Sequence, residues 1–240
     1  MTILITGVNR GLGKAIAGQA IAQGIPVIGV IRESASGSQV NDLVSKGMKL
    51  FTANLANPAS ISELVEQLSL QNCTPTTLIL NAGIMSPDCS EELQAETVQK
   101  IIETNLTGPL LLISHLLPYL QSNNGRVIAI SSLSARLATD EQRISYPASK
   151  AGLSMALSAL RLQRQFSSVR FITVEPGYMS TKPRAMGVTY EWAASKILGL
   201  ATHPNPSNVL SFPLSMALVY RVLNILPIFV LQWIINLRKP

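Results

Sequence analysis

A tyrosine and a lysine lie four residues apart in the stretch Ser145-Tyr146-Pro147-Ala148-Ser149-Lys150. Residues at this spacing share one face of a helix, so both side chains can point at one reacting centre. A free tyrosine has a pKa of about 10 and exchanges protons poorly near neutrality, whereas an ammonium group beside it favours the phenolate. The spacing therefore predicts that Tyr146 is a general acid/base whose pKa Lys150 lowers. Because such a spacing also arises by chance, this interpretation depends on the elements around it.

The composition indicates a globular chain with a large core. Of 240 residues, 47% are hydrophobic and 13% charged, which is too apolar for a disordered protein. The net charge of +6 attracts anions, but the scattered basic residues do not form the runs of a nucleic-acid-binding protein, so no nucleic acid partner is expected. Cys73 and Cys89 are too few for a disulfide framework, and no metal site is predicted. The N-terminus lacks a signal-peptide pattern, which predicts a cytoplasmic protein.

Short apolar runs alternate with helical patterns along most of the chain. Strands that are buried on both faces have such continuous runs of Val, Ile and Leu. This alternation predicts the α/β class: a doubly wound (Rossmann), mostly parallel seven-stranded sheet with helices on both faces. One domain is expected over residues 1–212, followed by an apolar helical extension over residues 213–240. The predicted strands are Thr2–Thr6, Pro26–Ile31, Lys49–Ala53, Thr77–Asn81, Arg126–Ser131, Val169–Glu175 and Asn208–Phe212.

The first strand-to-helix turn reads Thr6-Gly7-Val8-Asn9-Arg10-Gly11-Leu12-Gly13. Ligands of doubly wound sheets bind at the carboxyl ends of the strands, where such turns lie. Glycines there let the backbone approach a pyrophosphate and place its charge at a helix N-terminus. A glycine cluster alone is weak evidence, but its position between the first strand and an alanine-rich helix predicts dinucleotide binding.

Five motifs follow one another along the chain: the glycine turn Thr6–Gly13, Asn81-Ala82-Gly83, Ser131-Ser132, Tyr146-x-x-x-Lys150 and Pro176-Gly177. In this order they resemble the short-chain dehydrogenase/reductase family. The resemblance covers Thr2 to Thr181, about three quarters of the chain, and it implies an NAD(P)-dependent enzyme acting on CH-OH and C=O groups. Each motif is weak alone, and their shared order makes a chance pairing of Tyr146 and Lys150 a poor explanation.

The resemblance implies a catalytic tetrad. Tyr146 would exchange the proton with the substrate oxygen, and Lys150 would lower its pKa and bind the nicotinamide ribose. Ser132 would hold the substrate oxygen, with Ser131 and Ser134 as alternatives, because Ser132 lies one residue further from Tyr146 than the family more often has. Asn105 would keep a helix irregular and anchor a water leading from Lys150.

The resemblance also implies a set of cofactor-binding residues, and the end of the second strand indicates the choice of cofactor. An acidic residue there would bind the ribose of NAD, whereas arginine suits the 2′-phosphate of NADP. Arg32 follows this strand, and Arg10 supplies a second cation, so NADP(H) is favoured; the alternative is Glu33 as a ribose ligand. The expected cofactor-binding residues are Gly7, Asn9, Arg10, Gly11, Leu12, Gly13, Arg32, Asn54, Leu55, Asn81, Ala82, Gly83, Tyr146, Lys150, Pro176, Gly177, Met179 and Thr181.

Substrate specificity is expected to reside after Thr181. The short piece from Lys182 to Thr189 predicts a brief lid before a helix beginning near Tyr190. Tyr178, Met179 and Met186 could form an adaptable apolar wall, and simple packing is their alternative role. A hydrophobic carbonyl or alcohol substrate is therefore expected.

The C-terminal segment from Phe212 to Leu237 is nearly all apolar. Its longest uncharged run is too short for a spanning helix and contains Pro227. Two interpretations remain open: burial on the body or in a homo-oligomer, and contact with a membrane interface through Arg221, Arg238 and Lys239.

The family resemblance also suggests a homodimer or homotetramer through helices Thr97–Leu120 and Pro147–Gln165. The leading hypothesis for the protein is an NADP(H)-dependent oxidoreductase. A catalytically idle cofactor-binding regulator and a membrane-peripheral binding protein are the alternatives.

Overall fold

A computed structural model describes residues 1–32, 39–89, 91–140, 142–182, 187–227 and 229–231. A seven-stranded sheet forms its centre, and every neighbouring pair of strands in that sheet is parallel. The strands of the chain are β1 Ile3–Thr6, β2 Val27–Ile31, β3 Lys49–Thr52, β4 Thr77–Leu80, β5 Arg126–Ile130, β6 Arg170–Pro176, β7 Met179–Ser180, β8 Val188–Thr189 and β9 Val209–Phe212.

The strand order in the sheet is β3-β2-β1-β4-β5-β6-β9, which confirms the predicted doubly wound architecture. The order changes direction between β1 and β4, because β1 is followed along the chain by β2 on one side and the later strands add on the other. Ligands of doubly wound sheets bind at this point. The carboxyl end of β1 carries the glycine turn, and that of β4 carries Asn81.

The helices between the strands are α1 Gly11–Ala22, α2 Asn41–Val44, α3 Pro58–Leu70, α4 Ala95–Ile102, α5 Gly108–Ser122, α6 Ser145–Arg161, α7 Tyr190–Thr202 and α8 Leu214–Asn224. Two of them begin at an ordinary side-chain cap. The Asn57 side chain accepts from the backbone N–H of Ala59 before α3, and Thr189 accepts from Trp192 N–H before α7. Such caps satisfy N–H groups that have no partner within the helix.

Two apolar cores cover the two faces of the sheet. Ile16 of α1 and Ile197 of α7 pack against one face, together with β1 residues such as Ile5. Leu64 of α3 and Leu116 of α5 belong to the core on the opposite face, which α6 completes. Burial of both faces explains why the strands are continuous apolar runs. It stabilises the fold by about 25 cal/mol for each Å² of apolar surface that is removed from water.

The predicted strands are confirmed with ends that differ by about one residue, but β7 and β8 were not predicted. These two strands have two residues each and pair with one another outside the main sheet. Such short strands are too brief to carry a hydrophobic period. The helix predicted over Thr97–Leu120 is present as α4 and α5 joined by a π-helical turn at Glu103–Thr107. The irregularity expected at Asn105 is therefore observed.

The apolar C-terminal segment begins with α8, and its last nine residues lie outside the described part of the chain. Helix α8, Leu214–Asn224, lies within the segment where the sequence predicts a helical extension, and Ala217 is its buried residue. Among the described residues, no helix has the length and apolar character needed to cross a membrane.

Candidate active site

The glycine turn after β1 is shaped by glycines and by a side chain of the neighbouring strand. Gly7 and Gly11 have φ angles of 74° and 55°, a region that favours glycine. The Asn81 amide donates to the carbonyl oxygens of Thr6 and Gly7 at 3.0 and 3.1 Å. At Gly13, a Cβ atom would lie 2.1 Å from the Gly7 carbonyl oxygen, so only glycine fits this approach of α1 to the turn.

The N-terminus of α1 has the features of an anion site. Arg10 occupies the cap position in an extended conformation, and its side chain makes no capping hydrogen bond within the described structure. The first N–H groups of a helix have no partner inside it, and the helix dipole places positive charge there. Gly11 and Leu12 of this first turn line a cavity, so a phosphate in that cavity can receive these N–H groups.

That cavity, the glycine-turn cavity, has a volume of about 620 Å³. It extends along the carboxyl ends of β1, β2, β3 and β4, the region where the sequence predicts a dinucleotide. The expected cofactor-binding residues that line it are Gly7, Asn9, Arg10, Gly11, Leu12, Arg32, Asn54, Leu55, Asn81, Ala82, Gly83 and Thr181.

The remaining residues of the expected cofactor set lie elsewhere. Gly13 packs beneath the turn, and Pro176 is the buried last residue of β6. Gly177 and Met179 line a second cavity, as does Tyr146. Glu33, the alternative ribose ligand, lies outside the described residues.

The buried side chains of Lys150 and Asn105 approach each other beside Gly83. The Lys150 ammonium donates to the Ile130 carbonyl oxygen at 2.8 Å, and the lysine is almost fully buried. The Asn105 amide group accepts from Ile84 N–H at 2.8 Å and donates to Ile84 O at 2.9 Å. A Cβ atom on Gly83 would lie 3.2 Å from Asn105 Oδ1 and 3.3 Å from Lys150 Nζ. Gly83 therefore permits both side chains to approach one spot.

The second cavity, here called the tyrosine cavity, brings Ser132 and Tyr146 together. The Ser132 hydroxyl lies beside the Tyr146 phenol and lowers its pKa, and it accepts from the Ser134 hydroxyl at 2.8 Å. Ser131, one of the alternatives, instead points into the protein, where its hydroxyl donates to the Lys150 carbonyl oxygen at 3.0 Å. Ser132 and Ser134 line the cavity, whereas Ser131 does not.

The pKa of Tyr146 differs from the sequence expectation. Burial raises the pKa of the phenol above its usual value of 10, while the Ser132 hydrogen bond and the charge of Arg143 lower it in part. Lys150 lies 5.8 Å from the centre of the Tyr146 ring, but it is not among the groups that lower this pKa. Burial lowers the pKa of Lys150 itself to about 8. The ammonium donates to the Ile130 carbonyl oxygen, so the structure shows no lowering of the Tyr146 pKa by Lys150, and this role of Lys150 stays a prediction.

The tyrosine cavity has a volume of about 520 Å³ and a largely apolar lining. Tyr178 and Met179 belong to it as expected, whereas Met186 lies outside the described residues. Residues from α8 also contribute, which the sequence did not indicate. The cavity is lined by Met85, Ser132, Leu133, Ser134, Ala138, Thr139, Asp140, Arg143, Tyr146, Pro147, Gly177, Tyr178, Met179, Tyr190, Met216 and Tyr220.

Asp88 is a site residue that the sequence analysis missed. Its carboxylate is fully buried and accepts from the N–H groups of Ile144 and Ser145 at 2.8 and 2.7 Å, which caps α6 just before Tyr146. Burial raises the pKa of Asp88, but the hydrogen bonds from Ser145 and Ile144 outweigh it, and the pKa lies below its usual value. Asp88 is far from α6 in sequence, so no local pattern indicated this cap.

Arg143 was also missed, and it places a positive charge in the tyrosine cavity. Its guanidinium forms an ion pair with Asp140 through Nη1. The Nε atom is buried and has no hydrogen-bond partner in the structure as described. An arginine three residues before a tyrosine has no sequence signature of its own, so only the fold shows that the two share a cavity.

The residues around the glycine-turn cavity fit a dinucleotide. The turn leaves no space for a Cβ at Gly13, the start of α1 offers backbone N–H groups, and Arg10 and Arg32 line the same wall. The fold and this site define the class of doubly wound dinucleotide-binding oxidoreductases. Ser132 and Tyr146 at the apolar tyrosine cavity add hydroxyl groups that can exchange a proton with a substrate oxygen, as an oxidoreductase acting on alcohols and carbonyls requires.

Comparison with known proteins agrees with this class. The family model described as short chain dehydrogenase matches residues 1–188. The chain belongs to the short-chain dehydrogenase/reductase family, and it is an oxidoreductase of that family.

Relatives and solved structures extend the comparison. The 3-oxoacyl-[acyl-carrier-protein] reductase FabG of Buchnera aphidicola is 31% identical over 75% of this chain and 74% of its own length. The ketoacyl reductase HetN of Nostoc is 31% identical over 86% of this chain and 72% of its own. A short-chain dehydrogenase from Streptomyces avermitilis superposes with a TM-score of 0.81 at 22% identity over 92% of this chain and 91% of that one, which supports the fold.

Proposed function

We propose that this protein is an NADP(H)-dependent oxidoreductase that interconverts a carbonyl and a secondary alcohol on a hydrophobic small molecule. The observation that carries the proposal is the pairing of the Ser132 and Tyr146 hydroxyl groups at the wall of the apolar tyrosine cavity. Two hydroxyl groups at one point can hold one substrate oxygen and exchange a proton with it. When bound, NADP(H) supplies or accepts the hydride.

Each residue of the tetrad has a separate task in this proposal. Ser132 donates to the substrate oxygen, and Tyr146 transfers the proton to it during carbonyl reduction. Lys150, with its pKa lowered to about 8, can release and regain a proton near neutrality, which suits a relay behind Tyr146. Asn105, held by Ile84 on both sides of its amide, keeps the π-helical turn in place beside Lys150.

Arg32 and Arg10 support NADP(H) over NAD(H). Both line the glycine-turn cavity, and Arg32 directly follows β2, where the adenine ribose of a dinucleotide is expected. An arginine–phosphate hydrogen bond contributes about 1.5–3 kcal/mol, or roughly a 10- to 100-fold change in affinity. Arg32→Gln should weaken NADPH binding to that extent and leave NADH binding unchanged, as measured by fluorescence titration of both cofactors. Equal losses for the two would argue against a 2′-phosphate contact.

The substrate class is supported by the cavity and by the relatives. The cavity is mostly apolar apart from the Arg143–Asp140 pair and hydroxyl groups, so it suits an uncharged carbonyl compound with an apolar body. The names of two relatives, a 3-oxoacyl-[acyl-carrier-protein] reductase and a ketoacyl reductase, favour a ketone that is reduced.

The decisive experiment compares two tyrosine substitutions. The wild-type protein should oxidise NADPH in the presence of a member of a panel of ketones and 3-oxoacyl esters, and Tyr146→Phe should abolish this reaction while NADPH still binds. Tyr119→Phe, in α5 and outside both cavities, is the matched control and should turn over normally. Equal turnover of Tyr146→Phe and wild type would remove Tyr146 from the mechanism. Cofactor binding without turnover in the wild type would favour a regulator.

A homodimer or homotetramer is part of the same proposal. Exposed Met155 lies on α6, one of the two helices expected at a subunit contact, and exposed Leu162 directly follows that helix. Apolar residues on one exposed helix face favour association. Residues 1–212 would form the catalytic domain, with residues 213–240 as an extension. Sedimentation of the full chain tests the association, and a monomer at micromolar concentration would contradict it.

A further inference from the structure

We propose that the outer face of α8 docks on an anionic membrane surface. The inference goes beyond the proposed reaction and concerns where the enzyme meets its apolar substrate. The membrane-facing set, here called the α8 stripe, consists of Leu214, Leu218, Val222 and Ile225.

The two faces of α8 have different surroundings. On the inner face Ala217 is buried, and Met216 and Tyr220 line the tyrosine cavity. On the outer face, Leu214 is 81% exposed and Leu218 is 63% exposed. The helix is therefore one wall of the cavity, with a second apolar side that no described residue covers.

Four exposed apolar residues along α8 and at its C-terminal end form one stripe. Leu214, Leu218, Val222 and Ile225 follow the i, i+4, i+8, i+11 spacing that aligns side chains on one helix face. All four are exposed, as is Phe229 shortly after the helix. A contiguous apolar patch of this kind marks an interaction surface, unlike scattered exposed residues.

The charges of the segment favour an anionic surface. From Pro213 to Pro240 the sequence contains Arg221, Arg238 and Lys239 but no acidic residue. The whole chain carries a net charge of +6. Apolar side chains on one helix face, in a segment whose charged residues are all basic, are the properties of a helix that lies in the interface of an anionic bilayer. A second copy of the same segment would instead bring like charges together.

The cavity next to α8 has an apolar exposed border, which agrees with a lipid-facing position. Met85 and Tyr178 line the tyrosine cavity, and both are about half exposed. Together with Met216 and Tyr220 they join the cavity to the α8 side of the molecule. A docked α8 would thus hold the cavity close to the bilayer, where apolar carbonyl compounds concentrate.

Vesicle flotation of the full chain tests the proposal. Wild type should bind vesicles of phosphatidylcholine with a third phosphatidylglycerol at least about tenfold better than pure phosphatidylcholine vesicles, and high salt should weaken the binding. Leu218→Glu/Val222→Glu should lower binding to the anionic vesicles by at least about tenfold. Leu70→Glu is the matched control, because Leu70 is exposed at the end of α3, away from this face, and it should float like wild type.

Further readouts separate the alternatives. The double variant should bind NADPH like wild type, since neither Leu218 nor Val222 lines a cavity, and Tyr146→Phe should float normally, so a failure of docking and a failure of the proposed reaction are distinguishable. Wild type that does not bind anionic vesicles would overturn the proposal. If the double variant sediments with a lower mass than wild type but floats equally well, the α8 stripe contacts a second copy of the chain. That result would overturn the proposal as well.

Discussion

The two cavities of this protein are built in different ways. The glycine-turn cavity is formed largely by backbone and by short consecutive motifs at the ends of β1 to β4. The tyrosine cavity is formed by side chains from separate segments, including the loop after β4, the residues after β5, α6 and α8. Family membership and sequence motifs describe the first well, whereas the second depends on contacts between residues far apart in sequence.

This difference separates what is shared by dinucleotide-binding proteins from what is particular to this chain. A pyrophosphate needs backbone N–H groups and close approach, and only glycine provides these at Gly13. A substrate needs shape and a few polar groups, and many combinations of side chains can supply them. We therefore expect substitutions at the glycine turn to destroy function and those in the tyrosine cavity to modify it.

The largest effect is expected for Gly13→Ala in the glycine-turn region. The new Cβ would meet the Gly7 carbonyl oxygen at 2.1 Å and the Asn81 amide nitrogen at 2.5 Å, so backbone must move. Such overpacking costs about 1–3 kcal/mol or more, and it displaces the turn that receives the dinucleotide. Urea unfolding should show a loss of this size, and NADPH titration should show no binding.

Gly199→Ala is the matched control for that substitution. Gly199 lies within α7, and nothing lies within 4 Å of a Cβ placed there. Because alanine favours a helix over glycine by about 1 kcal/mol, this variant should be as stable as wild type or more stable and should bind NADPH normally. If Gly13→Ala behaved like Gly199→Ala, dinucleotide binding would not depend on the close approach of α1 to the glycine turn at Gly13.

An intermediate effect is expected for Asp88→Ala, which removes the distant cap of α6. The N–H groups of Ile144 and Ser145 would lose their acceptor, and each unsatisfied buried donor costs about 1–3 kcal/mol. Because Tyr146 directly follows these residues, we expect kcat to fall with little change in NADPH affinity. Steady-state kinetics and urea unfolding measure the two consequences.

The control for Asp88 is Asp42→Ala. Asp42 forms an exposed ion pair with Lys14 at 3.1 Å, and water and salt screen exposed pairs so that they contribute little to stability. This variant should retain both kcat and stability. A normal kcat in a stable Asp88→Ala protein would show that α6 positions Tyr146 without the cap, and the two cavities would then be less different than we argue.

The sequence predicted the sheet because its strands are buried on both faces and leave an unmistakable apolar pattern. It predicted Gly7 to Gly13 and Asn81 to Gly83 because these motifs are consecutive. It did not predict Asp88 as a cap or Met216 as a cavity residue, since these contacts join distant segments. The pKa of Tyr146 depends on the fold in the same way: spacing places Lys150 beside it, but the burial of the phenol and the Ile130 carbonyl oxygen that binds Lys150 come from distant segments.

The smallest effect is expected when the positive charge in the tyrosine cavity is removed. We expect the pH dependence of kcat/KM to shift, without a loss of turnover. Burial raises the pKa of Tyr146, and the positive charge of Arg143 counteracts part of that rise. Alcohol oxidation needs the phenolate, so its kcat/KM increases with pH through this pKa. Arg143→Met removes the cation and should move that increase to higher pH.

Asp140→Asn should move the same increase in the opposite direction. It leaves the guanidinium without its ion-pair partner, so the positive charge acts more strongly on the phenol and lowers its pKa. Arg164→Met, an exposed cation beyond the end of α6, should leave the profile unchanged. Profiles of kcat/KM between about pH 8 and pH 11 distinguish these outcomes, because this range extends above the ordinary pKa of tyrosine. Shifts of the same sign for Arg143→Met and Asp140→Asn would mean that shape, and not charge, links this pair to Tyr146.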